Sequence, residues 1–269
     1  MANPPGSTQE KLGRLLESLP LADESSCSYF DGRVSRFREF HFLGDLPEGA
    51  FQVAMDSGYR RCGDVYYQTH CPGCRLCIPL RIVARDFVPS RNMRRVLRRN
   101  EDVSVTIGDP SPTSEKAALY VRYKYEQHHL RPALTADAET DFDPDYHHHV
   151  MLFQMYTNPS STREMVIRLG DTVIGFGTID VVADAGSAVY FAFDPEHRER
   201  SLGTYAILKG IEWAQSTGRP YYHLGFMIPG HLKMDYKRRF QPLEFLNRDS
   251  QRWEPFDDTA MADYLEKTP

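Results

Sequence analysis

The sequence is sparing with cysteine: five in 269 residues. That density does not build a disulfide scaffold, so the thiols are expected to be free, metal-bound or catalytic in a reducing compartment. No uninterrupted apolar run is long enough to cross a bilayer, which excludes a membrane-spanning helix. The opening MANPPGSTQEK has no basic head followed by an apolar stretch, so it does not read as a secretory signal. Positive net charge is also missing. The balance is −5, which excludes an all-over nucleic-acid coat and leaves only local basic patches. These absences predict a cytoplasmic protein with no membrane partner.

What is present is ordinary in bulk. Hydrophobic residues make up 41% and charged residues 26%, enough to build one large soluble domain or two smaller ones. The stretch that organises the chain is AVYFAFDPEHRERSLGTYAILKGIEWA, residues 188–214. Val189, Tyr190, Phe191 and Phe193 have strand character. Pro195 fixes its own φ and moves Asp194 out of the helical region. Ser201 is the predicted N-cap of a helix that stops near Gly218. At such a start the N–H groups of Leu202, Gly203 and Thr204 lack helical partners, and Gly203 permits close approach, so a phosphate or a developing oxyanion would be accommodated.

Along the chain, residues 1–25 read as a weakly ordered lead-in in which Leu12, Leu15, Leu16 and Leu19 could form a short amphipathic helix. A strand is predicted over 37–42 and a short helix over 51–57. The run CPGCRLC follows, with Cys71, Cys74 and Cys77 at three-residue spacing. A turn at Pro72-Gly73 would bring thiols together, and Cys27 or His70, with Cys62 less favoured, could complete four ligands for zinc or an iron–sulfur cluster. The alternative is that these cysteines pack a loop-rich subdomain. Ser90 then caps a predicted helix bearing Arg91, Arg94, Arg95, Arg98 and Arg99 with no acidic residue between positions 91 and 100. Cations on one face repel one another, and phosphates would relieve that cost.

Pro110-Ser111-Pro112 marks a predicted junction. A helix is expected over 114–129 with Ala117, Leu119, Tyr120, Tyr123 and Tyr125 near its buried side. Residues 128–149 read as a long polar connection, where His147, His148 and His149 on an extended segment would converge poorly on a metal. Three strands (163–169, 172–182, 187–193), a helix (201–217) and another strand (220–226) follow, an α+β layer. Next comes a second cationic cluster, Lys233, Lys237, Arg238 and Arg239, interleaved with Tyr236 and Phe240, suited to a single-stranded nucleic-acid end. The acidic tail, 251–269, is expected to be peripheral.

Four segments carry a resemblance in one order over about residues 27–246. They are RRCGD…YY…HCPGCRLCIPLRI, FVPSRNMRRVLRRN, SAVYFAFDP…SLGTYAILKGIEWA and LKMDYKRRFQPLEFL. Together they resemble the bacterial aspartate/glutamate leucyltransferases, relatives of the eukaryotic arginyl-tRNA–protein transferases. The resemblance implies a smaller cysteine-containing N-terminal domain (26–109) and a GNAT-like, acetyltransferase-like C-terminal domain (110–250). It implies transfer of an amino acid, leucine from leucyl-tRNA in the main reading, to proteins beginning with Asp or Glu, marking them for degradation. Arginyl transfer is the first alternative. An acetyl-CoA-dependent N-acetyltransferase is the next, although the Q/R-x-x-G-x-G/A loop is not intact at Arg198–Gly203. The last is a tRNA-binding module without catalysis.

On this reading no cofactor is required. Asp194, Ser201, Gly203, Thr204 and Tyr236 are the catalytic candidates. Arg91, Arg94, Arg95, Arg98, Lys233 and Lys237 would bind tRNA. Arg60, Arg81, Arg238, Arg239 and Glu244 would hold the recipient, and Cys27, Cys71, Cys74 and Cys77 are the candidate metal ligands. Two departures from the family pattern are Met227, where a tryptophan is common, and the histidine-rich stretch 143–155.

Overall fold

A computed structural model describes residues 7–42, 46, 49–126, 142–157 and 161–266. The predicted breakers at residues 4–6, most of the connection from 128 to 141, and the far end of the helix expected to reach 129 lie outside the described residues.

The lead-in carries α1 (Thr8–Ser18), begun by a capping box in which Ser7 and Glu10 satisfy each other's backbone N–H groups. Leu16 buries against Phe51, Met55, Tyr59 and Tyr66. A pair of two-residue strands follows, β1 (Ser25–Ser26) and β2 (Val34–Ser35). A small antiparallel sheet then forms from β3 (Phe37–His41), β4 (Arg60–Cys62) and β5 (Val65–Thr69), with α2 (Ala50–Asp56) before β4.

The next strand, β6 (Ile78–Val83), leaves that subdomain. All six of its residues are buried, because it runs in the middle of an eight-stranded sheet. Then come α3 (Arg91–Arg99), β7 (Val103–Gly108), α4 (Ser114–Tyr125) and α5 (Pro144–Met151). The core meander is β8 (Thr162–Leu169), β9 (Thr172–Val181) and β10 (Ala185–Phe193), followed by α6 (Leu202–Ser216) and β11 (Tyr221–Met227). The chain ends with β12 (Leu243–Asn247), β13 (Arg252–Pro255) and α7 (Asp258–Glu266). Spatial order is β13-β12-β6-β11-β10-β9-β8-β7, antiparallel except between β10 and β11. The meander, the crossover helix α6 and the parallel strand β11 make the expected α+β order.

Period-two alternation builds two cores from one sheet. In β8, Met165 and Ile167 face the layer of α3 and α6, whereas Val166 faces α4 and α5. Glycine makes room on β9, where a Cβ at Gly175 would sit 2.8 Å from the Phe191 ring. The small sheet is pinned to the large one by a buried ion pair: Arg61 Nε and Nη2 donate to Asp180 at 2.9 and 2.6 Å. Its remaining donors reach Gly63 O and Thr157 O, and Thr162 Oγ1 donates to Asp180.

Strands from both halves of the chain share the large sheet: β7 pairs with β8, and β6 pairs with β11 and β12. Three expectations are corrected. The acidic tail is not peripheral: β13 extends the sheet through β12, and Phe256, Met261 and Tyr264 bury in the main core. The histidines lie on a helix rather than an extended segment. Asp143 caps α5, Pro144 occupies its first turn, and His147 stacks on Phe142 at 4.5 Å. Tyr125 is exposed, not buried, because it falls on the outer face of α4.

Candidate functional site

The parallel pairing of β10 with β11 lasts only three residues, from Ala185↔Tyr221 to Ser187↔His223. Immediately beyond it both strands bulge, β10 between Ala188 and Tyr190 and β11 between His223 and Gly225. A bulge bends its strand and increases local twist. Two bulges facing each other make the strands part. β10 continues with β9 to Phe193, and β11 continues with β6 to Met227. The wedge between them opens into a cavity of about 850 Å³, closed by the first turns of α6, by Tyr123 of α4 and by residues 231–237.

Parting strands leave backbone carbonyls without ladder partners, and two cations take them up. Arg60, on β4, donates to Ser187 Oγ and Ala188 O at the floor of the split. Gly225, at φ +76°, leaves space for that guanidinium; a Cβ there would lie 3.3 Å from Arg60 Nη2. Burial lowers the Arg60 pKa. On the opposite strand Lys237 Nζ donates to Phe226 O at 2.6 Å and touches Met234 Sδ. Burial, then Arg60, lowers the Lys237 ammonium to about 7.

The cavity lining is apolar on its walls, with Ile179, Phe191, Phe193, Ala206, Ile207 and Leu224. Its basic groups are Lys124, His231, Lys233 and Lys237, and no aspartate or glutamate lines it among the described residues. Thr178 Oγ1 is buried at the wall without a hydrogen-bond partner among the described residues. Such an atom costs free energy until something fills the space beside it.

The sequence-predicted residues sort by position. Gly203, Lys233, Tyr236 and Lys237 line the cavity, and Arg60 lies behind its floor. Nothing stands within 4 Å of a Cβ built on Gly203. Ser201 precedes α6 in the left-handed region (φ 55°), so its side chain makes no cap, contrary to expectation. It ends a 3-10 turn over 195–200 that Asp194 caps. Asp194 also accepts from Arg122 at 2.7 Å, and neither Ser201, Thr204 nor Asp194 lines the cavity. Arg81 and Glu244 face each other across β6 and β12 and pair at 2.7 Å, with Arg81 stacked between Tyr221 and Trp253. Arg238 is held by Asp235 and Asp258, and Arg239 is exposed.

Ser90 caps α3 through Met93 N, as expected. Arg91, Arg94, Arg95 and Arg98 are exposed and make no ion pair among the described residues. At the end of α3, Arg99 donates to Glu199 O, just before α6. The basic helix therefore runs beside α6 and meets the connection into the turn that lines the cavity.

A family match decides what kind of protein this is. Residues 25–95 match the arginine-tRNA-protein transferase N terminus and residues 115–247 match its C terminus. The aspartate/glutamate leucyltransferase of Leptospira interrogans serogroup Icterohaemorrhagiae serovar copenhageni is 34% identical over 252 residues, 93% of this chain and 95% of that one.

The chain belongs to the arginine-tRNA-protein transferase family.

A second relative in this transferase family, the aspartate/glutamate leucyltransferase of Stenotrophomonas maltophilia (strain R551-3), is 38% identical over 87% of this chain and 91% of its own. Among solved structures FemX is similar at a TM-score of 0.45 and 8% identity, covering 89% of this chain and 94% of that one. The N-terminal match spans β1 into α3 and supplies Arg60 at the floor of the split, and the C-terminal match spans α4 to β12 and holds both strands of the wedge.

The candidate metal ligands of this transferase do not assemble a site. Among the described residues no group of three or more His, Cys, Asp or Glu is placed to hold an ion. The Cys77 thiol is pushed up to about 12 by burial, with Cys71, Cys74 and Cys27 adding to the effect. Cys74 instead accepts from Arg33 at 3.7 Å, and Cys71 lies against Arg36 O.

Sequence reading missed Thr178, Tyr190, Tyr222 and His231, all on the cavity wall. Their signal is indirect: Tyr190 and Tyr222 lie on the strands that part, Thr178 lies opposite Tyr190 on β9, and His231 follows Pro229-Gly230.

Proposed function

We propose that this transferase moves leucine from leucyl-tRNA to the α-amine of proteins that begin with Asp or Glu. The observation that carries the reading is the cavity's charge: basic groups line it and no carboxylate does, among the described residues. An arginyl side chain buried there would meet cations and no partner, at a cost of several kcal/mol. A leucyl side chain meets Ile179, Ile207 and Leu224 and contributes about 1.5–3 kcal/mol on burial. The same charge attracts a recipient's acidic side chain, drawn by Lys233 at the cavity and by Arg60 behind the floor.

The chemistry is aminolysis of an activated ester. The recipient's amine attacks the carbonyl carbon, a C–N bond forms, and the ribose oxygen leaves. An α-amine titrates near 7.7–8.0, so part of it is already nucleophilic at neutral pH. Holding the two ends together and stabilising the oxyanion supply most of the acceleration. The N–H groups of the first turn of α6, open beside Gly203, are the donors suited to that oxyanion or to the tRNA's terminal phosphate. The exposed arginines of α3 would lie along the acceptor stem, and Tyr236 would stack on the terminal base. The product's new N-terminal leucine would mark it for degradation, and a cytoplasmic location belongs to this reading. No helix among the described residues is long and apolar enough to cross a membrane.

A direct test supplies leucyl-tRNA or arginyl-tRNA to one peptide beginning with Glu and measures transferred amino acid. Transfer of leucine at least tenfold faster than arginine supports the reading. Equal or faster arginine transfer would overturn it.

A further inference from the structure

Aminolysis releases a proton from the attacking nitrogen, and the departing ribose oxygen needs one. A side-chain base is normally sought among carboxylates, but none lines the cavity among the described residues. Asp194 is turned away as a cap paired with Arg122, and Glu244 is paired with Arg81. The cavity does contain an amine held in one place. Lys237 lies in a 3-10 turn, Asp235–Arg239, where neighbouring Arg238 is anchored by Asp235 and Asp258. Its Nζ hydrogen-bonds Phe226 O on the β11 side of the split, in the same cavity that Gly203 of α6 lines.

We propose that Lys237 is a catalytic residue, the amine that accepts the proton of the attacking nitrogen and returns it to the ribose oxygen, rather than a phosphate contact. This rests on the aminoacyl-transfer reading above. The step balances. As the C–N bond forms, neutral Lys237 takes one proton from the zwitterionic tetrahedral intermediate. As the C–O bond breaks, Lys237 ammonium gives that proton to the ribose 3′- or 2′-oxygen and regenerates neutral amine.

The surroundings keep the amine usable as a base near neutral pH. Burial and the Arg60 charge lower its pKa to about 7, close to the optimum for proton transfer at physiological pH. Cys77 acts in the opposite direction and raises it, but burial pushes that thiol itself up to about 12. Among the described residues the other titratable groups lining the cavity are tyrosines, Lys124, Lys233 and His231, none of them a carboxylate. His231 is the competing base, and its Nδ1 already accepts from Lys233 N.

The test compares wild type with Lys237→Arg and Lys237→Ala, using leucyl-tRNA and a Glu-starting peptide, both saturating. Arginine keeps a positive charge but cannot give up a proton in this range. General-base contributions are typically 10²–10⁴-fold, so kcat of Lys237→Arg falls about a hundredfold or more while its Kd for leucyl-tRNA stays within threefold. In wild type, kcat rises with pH through about 7, because deprotonation of Lys237 creates the active form. Lys237→Arg loses that rise and keeps only the one near 7.7–8.0 that comes from the recipient's own α-amine. Added methylamine or ethylamine restores part of the activity of Lys237→Ala, with faster rescue by the more basic amine. Thermal melts identify a variant that fails to fold, and the wild-type pH profile then decides. Retained kcat in Lys237→Arg, a loss confined to tRNA affinity, or a wild-type kcat flat across pH 6–8 would overturn the proposal. Failure of wild type to transfer leucine is a separate result, which removes the reading of the function instead.

Discussion

Replacing Arg91, Arg94, Arg95 and Arg98 together by glutamine tests whether α3 lies on tRNA. The four side chains are exposed, none has a carboxylate partner among the described residues, and the cap at Ser90 and the buried Met93 are untouched. Removing like charges from one face does not weaken the helix, so folding stability should stay within about 1 kcal/mol. The effect on binding is large and has a characteristic form. Each phosphate neutralised in a duplex contributes about 0.9 to the slope of log K against log salt. Four contacts amount to a slope difference of about 3.6. Between 50 and 200 mM salt, a fourfold change raised to that power is roughly a hundredfold in affinity. Filter binding or fluorescence titration of leucyl-tRNA over that range should give a variant curve flatter by about 3–4, with each single substitution removing about one unit. Saturated kcat should be nearly unchanged, since none of the four approaches the cavity. An unchanged slope would refute the placement of tRNA along α3, even if affinity fell.

Three further outcomes follow from the same geometry. Asp180→Asn should cost about 3–5 kcal/mol in urea unfolding, because it leaves Arg61 buried without its carboxylate. A cost below 1 kcal/mol would mean that this pair does not join the two sheets. Gly225→Ala places a Cβ at positive φ and against Arg60, so stability should fall by about 1 kcal/mol or more and leucine transfer should fall with it; a variant as active as wild type would show that Arg60 tolerates displacement. Met261→Ala should destabilise the main core by about 2–5 kcal/mol, and a surface-like change in the melt would return the tail to the periphery.

The order of elements from β8 to β11 is legible in the sequence because each signal there is local. Strand alternation, the stop at Gly218 and the Asp194-Pro195 break all act within a few residues. The cap at Ser90 is legible for the same reason. Ser201 misleads because the preceding 3-10 turn uses it as a left-handed terminator, which removes the side-chain geometry of a cap. Asp143-Pro144 carries a helix-start signal, an N-cap followed by a first-turn proline, but the polar run of histidines behind it lacks the apolar spacing that would extend the signal into a helix. The site itself is a long-range product. Arg81 and Glu244 look available one at a time, and only the register of β6 with β12 brings them together to neutralise each other. Arg60 and Lys237 are 177 positions apart in the chain. They meet because two bulges on β10 and β11 free the carbonyls that both cations take up.

The central claim is that the basic groups at the cavity select an acidic first residue. Its most direct measurement is kcat/KM for leucine transfer to otherwise identical peptides beginning with Glu or Gln. A site built to pair with the recipient's carboxylate should prefer Glu over its neutral isostere by about 10⁴-fold. A preference of less than tenfold would contradict the account.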